Sequence, residues 1–231
     1  MIRLCVFDMD GLLLDSERVL YIKNGMEVSK ELGRPMTKEF LCSLMGNSWA
    51  IYPKKVLAAQ GEDFPIDEYL RIYWERIDKI IFHEAIPVMP GVIEILDFLK
   101  GEGIPMAVAT STFYDKTMAC LKNAGIADYF DYVITGDMVE HGKPEPDIFL
   151  KAIGHFGVEV KDALVFEDGH NGAQAAIKGG CPLIIVQDLA ELTQEDYDKS
   201  IMVIDNIAKA IPYIKEQNET TTGIQTQTRQ S

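Results

Sequence analysis

Asp8 and Asp10 stand two residues apart at the end of a short apolar run, with Gly11 directly behind them. On an extended strand both side chains would face the same side. A sharp turn at Gly11 can re-aim the second. One carboxylate is then placed to act as a nucleophile and the other to handle a proton. Further groups of suitable type follow. Thr110 and Ser111 offer hydroxyls, Lys143 a cation, and Glu167-Asp168 a second pair of carboxylates. Together they suit phosphoryl transfer, in which Thr110 and Lys143 hold the phosphate oxygens and Lys143 spreads positive charge over the moving group. Asp8, the Asp10 carbonyl and Asp168 could supply part of an oxygen shell for Mg2+, which completes its shell with waters and a substrate oxygen. Each group alone has a plainer reading, as a turn residue, a helix cap or a solvated lysine. All of them at strand ends, in this order, are harder to explain that way.

The elements that must position these groups are legible as apolar runs. Residues 2–7 read as a buried parallel strand ending at Asp8. Strands are also expected at Met106–Ala109, Tyr132–Thr135, Ala163–Phe166 and Leu183–Val186. Helices are expected at Val92–Lys100, Tyr114–Asn123, Asp147–Phe156 and Ala173–Lys178. This alternation predicts an α/β fold, a mostly parallel sheet with right-handed crossovers. Ligands of such sheets bind at the carboxyl ends of the strands, where the candidate residues lie. Between Ser16 and His83 the pattern changes to charged and aromatic residues at helical spacing. Breaks near Gly33-Arg34-Pro35, Met45-Gly46-Asn47 and Gly61 to Pro65 suggest an insert of four helices. The Thr/Gln-rich stretch 217–231 is expected to be disordered.

Composition narrows the partners. The 231 residues include 22 basic and 36 acidic side chains, a formal net charge of −14. Such a chain repels a nucleic-acid backbone. A phosphate site must therefore bring its own positive charge, from a metal ion, a lysine and backbone N–H groups. The four cysteines are scattered, without a CxxC pair, as in reduced cytoplasmic proteins. No apolar run is long enough to cross a bilayer, and a monomer is expected.

The motifs Phe7-Asp8-Met9-Asp10-Gly11 with Asp15-Ser16, Val108-Ala109-Thr110-Ser111, Gly142-Lys143-Pro144-Glu145-Pro146-Asp147, and Phe166-Glu167-Asp168 with Gly172 carry a resemblance over residues 1–205. The sequence resembles the haloacid dehalogenase superfamily, in its β-phosphoglucomutase-like phosphatase branch. The resemblance implies a Rossmann-like core, residues 1–15 and 87–216, and an inserted helical cap, residues 16–86. It implies that Asp8 is the nucleophile, Asp10 the general acid/base, and Thr110 and Lys143 the phosphate binders. Asp168 would be the second carboxylate ligand of Mg2+, and Glu167 would bind the metal directly or through its water. Gly11 and Ser111 are expected beside the phosphate.

Within the family, a carboxylate at position 10 favours phosphoester chemistry over dehalogenation. Mutases of this branch carry a cap histidine and a cap arginine at positions that hold Leu20 and Trp49 here. Hydrolysis of a small phosphomonoester, a sugar phosphate or nucleotide-like monophosphate, is therefore preferred over a phosphosugar mutase. Lys23, Lys54 and Lys55 are candidate substitutes for the missing cap cation. A non-enzymatic phosphometabolite sensor is disfavoured by the intact set of site residues. Gly46 and Asn47, with Ser48, are expected to face Asp8 when the cap closes. Hinges are expected near Leu13–Ser16 and Glu84–Pro87. Trp49, Tyr52, Tyr73 and Trp74 either stack on a substrate or, the commoner case, pack the cap. His141 and His170 either contact substrate or face solvent.

Overall fold

The computed structural model describes residues 1–44 and 51–227, with side chains to Glu219. Strand β1 (Leu4–Phe7) is followed by the helical insert. A π-helical turn, Glu17–Lys23, runs straight into α1 (Asn24–Glu31), then α2 (Lys38–Cys42), α3 (Tyr52–Gln60) and α4 (Ile66–His83). The chain then alternates through α5 (Val92–Glu102), β2 (Met106–Thr110), α6 (Tyr114–Asn123), β3 (Tyr132–Thr135), α7 (Asp147–Phe156), β4 (Ala163–Glu167), α8 (His170–Lys178), β5 (Leu183–Val186), α9 (Gln194–Lys199), β6 (Met202–Ile204) and α10 (Ile211–Gln227).

The strands form one six-stranded parallel sheet in the order β3-β2-β1-β4-β5-β6. The chain winds outward from β1 through β2 to β3, then returns to β4 and winds the other way. The carboxyl ends of β1 and β4 therefore border the crevice where the strand order reverses. Strands β1, β2, β4 and β5 are fully buried along their length, as continuous apolar runs must be when helices cover both faces. Alternate residues feed two cores. Cys5, Phe7, Val108, Leu164 and Phe166 point to one side, and Leu4, Val6, Ala107, Val165 and Ile185 to the other. Phe7 stacks on Phe166 with ring centroids 4.9 Å apart. Burying each such ring is worth about 2–3 kcal/mol, which fixes the two strand ends side by side.

The insert is built on α4. Tyr69, Tyr73, Ile77 and Ile81 recur every fourth residue on its buried face. The aromatic residues pack the insert itself. Tyr52 and Tyr73 are buried with centroids 5.8 Å apart, and Tyr73 meets the partly buried Trp74 edge-on. Trp49, Gly46, Asn47 and Ser48 lie outside the described residues. The two connections to the sheet run against each other. Asp15 N donates to Pro87 O at 2.9 Å, Met89 N donates to Leu13 O at 2.9 Å, and Leu14 bridges antiparallel to Val88.

Two features departed from the sequence reading. Beyond Val186 the chain forms α9, a three-residue edge strand β6 and α10. The strand is short and half-exposed, so its apolar signal is weak. Helix α10 extends to Gln227, past the expected start of a tail at 217, and Asn218 accepts a hydrogen bond from Ile2 N at 2.7 Å.

Candidate active site

Asp8 follows β1 directly, and its N–H donates to Phe166 O at 3.1 Å on the neighbouring β4. Gly11 turns the chain at φ +79°, and a Cβ there would collide with the Asp168 carboxylate. A glycine is needed at this position both for the left-handed backbone and for the close approach. Asp10 is thereby turned away from Asp8's partners. Its Oδ2 accepts the Thr112 hydroxyl at 2.7 Å and the Thr110 hydroxyl at 3.3 Å. Thr110 Oγ1 accepts in turn from Thr112 N at 3.1 Å.

Lys143 lies in the segment between β3 and α7, with its side chain 5% exposed. Its Nζ donates to Asp8 Oδ1 at 2.5 Å, Glu167 Oε1 at 2.6 Å and Ala109 O at 3.0 Å. All three ammonium protons are thus taken. The ammonium also sits 4.9 Å from the centre of the Phe149 ring. Glu167 is held equally tightly. Its Oε2 accepts the N–H groups of Asp168 and Gly169, both at 3.1 Å. A Cβ on Gly172 would overlap its carboxylate, so α8 comes this close only because residue 172 is glycine.

Asp8, Glu167 and Asp168 are all buried, and each brings a carboxylate oxygen within 4.8 Å of the others. When all are ionised, the three carboxylates exceed the one ammonium by two negative charges. Burial, with Glu167 and Asp10 adding to it, pushes the Asp8 carboxyl up to about 8 even against Lys143. Burial first, then Glu167, Asp8 and Glu17, raise Asp168 well above the carboxylate range. For Lys143, burial pulls downward, but Asp8 and Glu167 reverse that and hold the ammonium charged. A buried, all-oxygen donor set with excess negative charge fits a hard divalent cation. Both Glu167 oxygens are already engaged, so Asp8 and Asp168 have the freer carboxylates.

These residues floor a cavity of about 780 Å3. Asp10, Ser111, Lys143 and Asp168 line it, whereas Thr110 is wholly buried and faces Asp10 instead. The insert supplies much of the opposite wall through Glu17, Glu39, Cys42, Ser43 and Lys55. Of the three candidate cap cations, Lys55 lines this cavity, and Lys23 lines a separate pocket beside α4. Leu20 is buried in the core. His170 lines the cavity and is tied to Asp196 Oδ2 at 2.7 Å, while the exposed His141 pairs with Asp147 at 3.0 Å.

A model of the haloacid dehalogenase-like hydrolase family matches residues 5–186. The chain belongs to the haloacid dehalogenase-like hydrolases. It is 33% identical to the phosphorylated carbohydrates phosphatase of Thermotoga maritima over 76% of this chain and 80% of that one. It is 34% identical to a "Probable pseudouridine-5'-phosphatase" of Drosophila melanogaster over 90% of this chain and 91% of the relative. Its fold resembles that of the β-phosphoglucomutase of Clostridium difficile, with a TM-score of 0.68, 22% identity and coverage of 96% of this chain and 100% of that one. At that identity the likeness between this hydrolase and the mutase is one of fold. No helix among its described residues is long and apolar enough to cross a membrane.

Two participants in this hydrolase's site escaped the sequence reading. Thr112, two residues past Thr110, makes the shorter hydroxyl contact to Asp10. Its place in the run Thr110-Ser111-Thr112 was the available signal. Glu17 lines the cavity, and its Oε2 is buried without a hydrogen-bond partner among the described residues. Burial first, then Asp188 and Asp10, push its carboxyl up to about 7. A glutamate in the first turn of a helix reads as an ordinary N-terminal acid, so only its surroundings reveal it.

Proposed function

We propose that this hydrolase is a Mg2+-dependent phosphatase that cleaves a small phosphomonoester through an aspartyl-phosphate on Asp8. One observation carries the reading. Lys143 is fixed between Asp8 and Glu167 at the floor of a cavity, with Asp168 within 4.8 Å of both carboxylates. A nucleophile, a cation for the phosphate oxygens and carboxylates for a metal thus converge at one point. The relatives named as phosphatases of phosphorylated carbohydrates and of pseudouridine 5'-phosphate support a sugar phosphate or nucleotide-like monophosphate.

Asp8 and Asp168 would hold the ion, with Glu167 behind them, directly or through a water. When bound, the metal offsets the excess negative charge and polarises the phosphate. An Asp8 oxygen attacks phosphorus, and the bond from phosphorus to the ester oxygen breaks. Lys143 stabilises the charge on the equatorial oxygens, alongside Ser111 at the cavity wall. Asp10 gives its proton to the leaving oxygen. The hydroxyls of Thr112 and Thr110 fix its Oδ2, so its Oδ1 is oriented to carry that proton. Asp10 then takes a proton from the water that attacks the aspartyl-phosphate, releasing phosphate and restoring Asp8. Thr110 acts in this scheme by positioning Asp10. Leu20 has no hydrogen-bonding group to offer a second phosphate, which favours hydrolysis over a mutase reaction.

The test is hydrolysis of p-nitrophenyl phosphate with Mg2+, with chelator and after Mg2+ is restored. Activity should vanish and return. Beryllofluoride should form an adduct at Asp8 in the wild type and none in Asp8→Asn. Full turnover in excess chelator, or an adduct at another residue, would overturn the scheme.

A further inference from the structure

We infer that Glu17 selects the leaving group, and that the substrate releases an uncharged, hydroxyl-bearing alcohol rather than one carrying a carboxylate or second phosphate. The inference rests on the phosphatase reading and names the substrate class for the same cavity.

A shielded carboxylate oxygen on the cavity wall, Glu17 Oε2, has no hydrogen-bond partner among the described residues. An acceptor shielded from water is costly to keep without a partner. A hydroxyl of the bound substrate would satisfy it. When ionised, this carboxylate accepts hydrogen bonds and donates none, so it recognises an alcohol and rejects another anion.

The rest of the wall agrees. Away from Asp8, Glu39 and Glu191 line the same cavity, with Lys55 as the lysine on that side among the described residues. Residues 45–50, Met-Gly-Asn-Ser-Trp-Ala, contain no charged side chain and so add no cation. Arg18, the cation next to Glu17 in sequence, is committed to Asp188 at 2.6 and 2.8 Å and to Asp15 at 3.0 Å. His170 is held by Asp196. The phosphate end has Lys143 and a metal-suited carboxylate set to receive an anion, while the leaving-group end is predominantly acidic. A substrate anionic at both ends would meet repulsion at the second. A polyol or nucleoside would meet an acceptor for its hydroxyls.

The experiment compares kcat/KM, with Mg2+, for glycerol 3-phosphate, ribose 5-phosphate and glucose 6-phosphate against 2-phosphoglycolate and fructose 1,6-bisphosphate. The wild type should favour the best uncharged leaving group over both anionic ones by about tenfold or more. Glu17→Gln should lower that substrate's kcat/KM by about tenfold and raise that for 2-phosphoglycolate several-fold. A gain on one substrate cannot come from misfolding. Glu191→Gln, on the other side of the wall, should shift the ratio in the same direction. Equal wild-type rates on both classes, or a ratio unchanged in both variants, would overturn the assignment. If p-nitrophenyl phosphate is also left intact by the wild type, the phosphatase reading fails and takes this inference with it. Turnover of p-nitrophenyl phosphate with a preference for the anionic leaving groups sinks the inference alone.

Discussion

Two cations in this protein each sit between two carboxylates, and they behave differently. Lys143 joins Asp8 to Glu167 with side-chain exposures of 5%, 10% and 3%. Arg18 joins Asp15 to Asp188 with exposures of 37%, 26% and 15%. Contacts are short in both, at 2.5 and 2.6 Å for the lysine and 3.0 and 2.6 Å for the arginine. The contrast lies in the solvent. Around Lys143 water is excluded, so charges interact through a poorly screening medium and Asp8 is displaced to about 8. Around Arg18 water screens the charges. Its guanidinium fork is held by Asp188 and fastens the Glu17–Lys23 turn to the chain after β5. One cation between two carboxylates thus sits beside the carboxylate proposed as nucleophile in one place and makes a structural tie in the other.

The largest effect that would break this contrast is at Asp8. Asp8→Asn keeps the shape and removes the carboxylate proposed to attack phosphorus, so kcat for p-nitrophenyl phosphate should fall by about 10^4-fold or more. Retention of even a tenth of the wild-type rate would remove Asp8 from the chemistry.

Next is Lys143→Met, which leaves Asp8 and Glu167 buried without their cation. Without metal it should cost about 3–5 kcal/mol in urea unfolding, as broken buried pairs do. Saturating Mg2+ should recover part of that loss by binding only the folded state. A cost under about 1 kcal/mol would equate it with an exposed pair.

The third prediction concerns pH. Asp8 shifts from 3.8 to about 8 in the folded, metal-free protein. Between those values the folded state holds a proton that the unfolded chain has released. Stability contributed by Asp8 is therefore present at low pH and lost as pH rises towards 8. Glu17, raised from 4.5 to about 7, acts in the same direction. The metal-free thermal midpoint should drop between pH 5 and 8, and drop less in Asp8→Asn. A midpoint that rises over this range in the metal-free wild type would contradict the burial of uncompensated carboxylates.

The smallest effect is expected at the exposed tie. Arg18→Ala should lower stability by about 1 kcal/mol or less in the same urea titration. A loss as large as that of Lys143→Met would show that exposure is not what separates the two groups.

Sequence alone determined the elements with strong local signals. The runs Leu4–Phe7 and Leu183–Val186 read as buried strands, and Tyr132–Thr135 as a strand that the structure places, half-buried, at the sheet edge, because short apolar or β-branched runs favour extended chain. Asp8, Asp10, Glu167 and Asp168 could be named because they sit at strand ends, and parallel strands bring their carboxyl ends to one edge, whereas Lys143 was named from its place in the segment before α7. Edge strand β6 was not legible, since three half-exposed residues carry little hydrophobic pattern. Only the tertiary structure decided which partner each charged group has. It paired Asp10 with Thr112 more closely than with Thr110, and Lys143 with Glu167 as well as Asp8. It left Oε2 of an ordinary first-turn glutamate, Glu17, shielded and without a hydrogen-bond partner among the described residues. The reason is physical. Apolar burial depends on residue type and leaves a periodic trace along the chain. Electrostatic role depends on burial and on neighbours up to 170 residues away, as Arg18 and Asp188 are, and neither is written in local sequence.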